Sequence, residues 1–110
     1  MAAADSRRAA ADDPAIRQLA EDGIYLGITA WAQLALAECG AFYPPAASTA
    51  EERLHHYASR YPITEVDSTF YYRPTDRMTA LWAARAPPEF VFDVKAFRLL
   101  TQHPTPPGAL

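Results

Sequence analysis

Three short apolar runs, residues 24–29 (IYLGIT), 63–70 (ITEVDSTF) and 90–95 (FVFDVK), alternate with stretches that carry helix signals. The runs are too short for helices and rich in β-branched and aromatic residues, so they predict strands. After the first run, residues 30–47 hold Trp31, Leu34, Leu36, Phe42 and Tyr43, which predict a packed loop with a helical turn, ended by Pro44 and Pro45. Ser48 with Glu51, and Thr49 with Glu52, have the spacing of a capping box. Leu54, Tyr57, Ala58 and Tyr61 follow at i, i+3, i+4 and i+7, the stripe of an amphipathic helix, and Pro62 stops it. A second helix starts at Pro74 and Thr75, with Thr75 as N-cap and Met78, Leu81 and Trp82 as its inner face, and Pro87 and Pro88 end it. The order is β-α-β-α-β. That alternation predicts an α/β fold of parallel strands joined by right-handed crossovers.

Outside this unit, residues 1–22 are rich in Ala, Asp and Arg and read as a mobile tail, with a weak helix over residues 14–20. Residues 23–110 form the folded part, and residues 99–110, with three prolines and a glycine, predict no regular element. Half of the 110 residues are apolar, which is unlike a disordered chain. The net charge of −3 lacks the basic footprint expected for binding nucleic acid or an anionic membrane. No apolar stretch is long enough to span a bilayer, and the amino terminus does not read as a secretory signal. Cys39 is the one cysteine and has no spaced partners for a metal site, so a half-buried thiol in a reducing, cytoplasmic compartment is expected. The ten basic residues are nine arginines and a single lysine, Lys95, which singles that position out.

Four strings carry a family resemblance: Gly27-Ile28-Thr29-Ala30-Trp31; Gly40-Ala41-Phe42-Tyr43-Pro44-Pro45; Glu65-Val66-Asp67-Ser68-Thr69-Phe70-Tyr71; and Phe92-Asp93-Val94-Lys95-Ala96-Phe97. Thr101-Gln102-His103-Pro104-Thr105 fits the segment that follows. Together and in this order they resemble the family called domain of unknown function 72, from about Ile24 to the end. The resemblance implies a (β/α) barrel of the triosephosphate-isomerase type. Such barrels have eight strands and about 250 residues. Three parallel strands and two crossover helices are the first part of one. The expectation is an amino-terminal fragment, inactive alone and not a stable monomer, whose partner is the missing carboxyl-terminal part of the barrel.

Active sites of such barrels lie at the carboxyl ends of the strands. Alternation along the strands puts Glu65 and Asp67 on one face, and Asp93 and Lys95 on one face. Carboxylates and an ammonium in a small space shift one another's pKa values and suit acid–base work. Glu65, Asp67, Lys95 and His103 are therefore the catalytic candidates, His103 as a loop imidazole able to shuttle protons. Thr29, Trp31, Ser68, Tyr71 and Arg98 are the substrate-binding candidates, with Arg98 able to clamp an anion. Several have a structural alternative: an internal ion pair for Glu65 or Asp67 with Lys95, backbone capping for residues 67–69, and packing for Trp31, Tyr43, Phe70 and Tyr71, of which Trp31, Phe70 and Tyr71 are otherwise the walls of a pocket for a ligand ring. His55 and His56 read as a solvated helix face. No nucleophile elbow, phosphate loop or metal-ligand spacing occurs, and no cofactor is indicated. The two functions in play are a fragment without activity of its own and an enzyme-derived barrel acting on a small polar substrate.

Overall fold

The computed structural model describes residues 12–110. The expected tail lies, over residues 1–11, outside the described residues. Its remainder carries helix α1, Pro14–Glu21, one residue longer than the sequence predicts. Asp13 starts it by accepting from the amides of Ala15 and Ile16, and Pro14 sits in the first turn, where its missing N–H costs nothing.

The remaining elements are strand β1 (Gly27–Thr29), short helix α2 (Leu34–Glu38), helix α3 (Ala50–Arg60), strand β2 (Ile63–Val66), helix α4 (Asp76–Arg85) and strand β3 (Val91–Val94). Single 3-10 turns span Ser68–Phe70, Arg98–Thr101 and Pro107–Ala109. The three strands form one open sheet in the order β1-β2-β3, and both neighbouring pairs are parallel. Helices lie between the strands in sequence, which is the arrangement of a partial (β/α) barrel.

Both crossover helices begin as their sequences require. Thr49 and Glu52 complete a capping box at α3, and the Thr75 hydroxyl accepts from the Met78 amide at α4. The stripe of α3 is the centre of the core, with Leu54 and Tyr57 both at 0% exposure and Ala58 buried beside them. Thr64 and Val66 of β2 are buried too, and Trp31, Tyr43, Phe90 and the partly buried Trp82 and Phe92 complete the cluster. The Trp31 ring meets Trp82 edge-on, with centroids 5.6 Å apart, and its indole N–H donates to Ala50 C=O at 3.0 Å. The Tyr43 hydroxyl donates to the Trp31 carbonyl, which pins the long β1–α3 connection under the helix.

Several expectations are corrected. The first run is strand only over Gly27–Thr29, and it is exposed rather than buried. It sits at the edge of the sheet, so only one neighbour covers it; Ile24, Tyr25 and Leu26 stay in solvent. The second strand ends at Val66 because the Thr69 hydroxyl donates to Val66 C=O at 3.0 Å and to Lys95 C=O at 2.6 Å, turning the chain into a 3-10 turn. The third strand is Val91–Val94, without Phe90 and Lys95. Residues 98–110 are not irregular throughout: they hold two 3-10 turns, and Arg73 donates to Leu110 C=O at 2.7 Å. Cys39 caps the short α2 and is exposed, not half-buried. His56 is half-buried against Phe42 and Tyr43, so only His55 belongs to the solvated face.

Candidate functional site

The register sets the first layer of the site. Thr29, Glu65 and Asp93 are Cα partners across the three strands, so their side chains form one row on the face that no helix covers. Neighbouring strands run about 4.8 Å apart, so Glu65 and Asp93 stand side by side. The Thr29 hydroxyl donates to Glu65 Oε2 at 3.4 Å. This row lines a shallow concavity of about 400 Å3, together with Tyr25, Gly27 and Ile63. Gly27 keeps β1 close: a Cβ there would lie 2.0 Å from the Ile63 carbonyl oxygen.

Beyond the strand ends is a second layer. The Lys95 ammonium lies 3.0 Å from Asp67 Oδ1 and 4.8 Å from the centre of the Phe70 ring. Both partners are partly solvated, with side-chain exposures of 43% and 35%. The hydrogen bond that Lys95 donates to Asp67 holds the Lys95 pKa above its usual 10.5, with the Asp67 charge, Tyr71 and Glu65 acting in the same sense. The Lys95 backbone is fixed at both ends of its peptide, by its N–H to Val66 C=O at 3.1 Å and by the Thr69 hydroxyl to its own C=O.

Phe70 is the hub of the rim. Its ring meets Tyr71 at 5.1 Å and His103 at 5.3 Å, both edge-to-face, while the Lys95 ammonium lies over it. His103 Nδ1 is 2.7 Å from the Thr101 hydroxyl. The Arg98 guanidinium stands 5.8 Å over the Tyr71 ring, and its buried Nε has no hydrogen-bond partner. Tyr71, from the turn after β2, is thus brought together with Lys95, Arg98 and His103, from the stretch after β3.

The other candidates fall elsewhere. Trp31 is 7% exposed and packs on the helix-covered side, and Ser68 lines a different cavity on that side. Asp93 was legible in the sequence through its strand parity with Lys95, and Phe70 as an aromatic beside the strand end; the place of Phe70 over Lys95 depends on where the 3-10 turn sets it down, and Thr69 was expected only to cap the backbone. No three of His, Cys, Asp and Glu among the described residues gather closely enough to hold a metal ion.

A parallel sheet with helices between its strands and polar residues massed at its carboxyl strand ends defines the class: a partial (β/α) barrel. The chain belongs to the family described as "Protein of unknown function DUF72", which matches residues 25–108. It is similar to the UPF0759 protein YunF of Bacillus subtilis (strain 168), with 34% identity over 80 residues. That alignment covers 73% of this chain and 26% of the relative, so the chain spans about a quarter of that protein's length. No solved structure matches the chain. No helix among the described residues is long and apolar enough to cross a membrane.

Proposed function

We propose that this chain supplies the amino-terminal wall of a barrel active site that performs acid–base chemistry on a small, polar, anionic substrate. The carrying observation is the in-register pair Glu65 and Asp93 beside the Asp67–Lys95 pair. Like charges directly opposite each other weaken a strand pair. The fold does not need this row, which faces away from the core, and a reaction does: a carboxylate able to take a proton and an ammonium able to steady negative charge. Glu65 is the proton acceptor in this reading, Asp93 its neighbour, and Asp67 positions Lys95. Arg98, with an unused Nε, holds the anionic group, and His103 passes protons at the rim. Thr29 and Tyr71 contact the substrate.

The same geometry supports inactivity of the chain alone. The concavity is open along a sheet face, and catalysis of this kind depends on excluding water around the reacting groups. The partner that closes it is the carboxyl-terminal part of the barrel. The test uses full-length YunF, screened by thermal shift against small polar metabolites. Ligands are then rechecked on variants altered where Glu65 and Lys95 align. Stabilisation that disappears in both variants is the expected result; ligands that bind both variants unchanged sink the site. Turnover of such a ligand by the 110-residue chain itself would overturn its incompleteness.

A further inference from the structure

A second cavity lies on the opposite side of the strand ends from the carboxylate row, between the β1–α2 connection, the turn after β2, and α4. Its volume is about 280 Å3, close to the lower end of ligand pockets, which run from about 300 Å3. The apolar walls are Trp31, Trp82, Met78 and Val66. The polar residues that line it are Asp67, Ser68 and Gln33. No basic side chain lines it.

Three features point to a ligand rather than to loose packing. The face of α4 that should seal the core does not do so: Met78 is 41% exposed and Trp82 only half-buried. The wall is kept thin by Ala30, Ala32 and Ala50, and Ala30 is held at φ 59°, a conformation that costs a non-glycine residue energy and persists only under constraint. Asp67 accepts from Lys95 through Oδ1 alone, and among the described residues nothing else bonds to Oδ2 or to the exposed Ser68 hydroxyl, so both are open to a ligand. Two indoles, a thioether and a carboxylate oxygen with spare acceptor capacity fit one chemistry. Indole faces attract cations as well as rings, and a carboxylate accepts from a charged donor more strongly than from a neutral one.

We propose that this cavity binds a small planar aromatic cation, an arylamidine or arylamine, with its ring against the wall that Trp31, Trp82 and Met78 form and its N–H groups on Asp67 Oδ2 and the Ser68 hydroxyl. Asp67 borders this cavity and also holds Lys95, so occupancy on the helix side is felt at the carboxylate row on the other. The site shares Asp67 with the one proposed above but none of the carboxylate row, and it stands whether or not that one is catalytic.

The test uses the full chain and benzamidine, with benzoate and phenol as anionic and neutral probes of similar shape. The protected indole N–H of Trp31, bonded to Ala50, reports by NMR that the cavity is formed; a freely exchanging Trp31 indole means there is no such cavity, and the proposal falls. Lys95 is the only lysine, so reductive methylation with 13C gives one side-chain signal at the Asp67 pair. Benzamidine is expected to perturb the Trp31 and Trp82 indole signals and to move the Lys95 signal, while benzoate does neither. Asp67→Asn weakens benzamidine by about tenfold or more, with little change for phenol. Met78→Trp, which fills the cavity from its open side, abolishes the indole response. Equal binding of all three probes, or a benzamidine response that survives Met78→Trp, overturns the assignment.

Discussion

On the face of the sheet beneath α3 and α4, Thr64 and Val66 are buried, and the Thr64 hydroxyl donates to Ile28 C=O. On the opposite face, the alternate residues of the same strands, Ile63, Glu65, Val91 and Asp93, are half-buried or exposed. The two faces differ in what they ask of the rest of a protein. The covered face is packed, apart from the cavity beside α4, by a capped helix and a cluster of aromatic rings. The uncovered face presents two adjacent carboxylates and two apolar side chains to solvent. Parallel sheets are normally covered on both sides. Stability in this chain therefore resides on one side and the candidate chemistry on the other.

That contrast fails first at Leu54 if it is wrong. Leu54→Ala removes a fully buried side chain and is expected to cost about 2–5 kcal/mol in denaturant unfolding, while Val91→Ala on the uncovered face costs less than about 1. Equal losses would mean that the uncovered face also carries the fold. Tyr57→Phe comes next. Its hydroxyl accepts from Ile28 N–H and donates to Ile63 C=O, both at 2.8 Å, so its loss strands two strand groups and costs about 1–3 kcal/mol. A smaller effect of opposite sign is expected at Asp93→Asn, which relieves the carboxylate facing Glu65 and raises stability by about 0.2–1 kcal/mol. A clear destabilisation there would make the row structural.

Two effects of pH sharpen the comparison further. Burial against Phe42 and Tyr43, and then the Arg60 charge, lower the His56 pKa below its ordinary 6.5. A base with a lowered folded pKa gives full stability above 6.5; stability then declines as the pH falls and levels off below the folded value. His56→Phe should flatten that part of the stability profile. Lys95 behaves the other way. Its raised pKa means that the Asp67 pair contributes below 10.5 and is lost as the pH rises through the higher folded value. A 13C-methyl titration should place Lys95 above the ordinary lysine midpoint, and Asp67→Asn should bring it back down.

The covered face was legible because it obeys local rules. The spacing of Leu54, Tyr57 and Ala58 and the Thr49–Glu52 pair belong to one helix, and neighbours in sequence determine them. Lys95 meeting Asp67 was also readable, since strand parity and a solitary lysine need no coordinates. The uncovered face was harder. The first apolar run reads as buried because its composition suits a strand covered on both sides, yet burial depends on neighbours this sheet edge does not have. Ser68 and Trp31 were grouped with the site by position near the strand ends. Which side of the sheet they serve depends on the turn made by Thr69, whose hydroxyl bonds to a residue 26 positions away. Of the helix-side cavity only Trp31, Asp67 and Ser68 were singled out in the sequence; its opening was not legible, because the failure of Met78 and Trp82 to close over the strand ends arises only when α4 is set against the β1–α2 connection.

The Tyr57 hydroxyl has a kinetic consequence. One atom on α3 joins the amide of Ile28 on β1 to the carbonyl of Ile63 on β2, two strands separated by the whole first crossover. An edge strand ordinarily frays by itself, one amide at a time. Here the Ile28 amide cannot exchange its hydrogen with solvent until the phenol leaves, and the phenol cannot leave until α3 lifts from the sheet. Strand edge and helix are thereby merged into a single opening unit. An amide at the periphery of the sheet becomes a reporter for the docking of a helix at its centre.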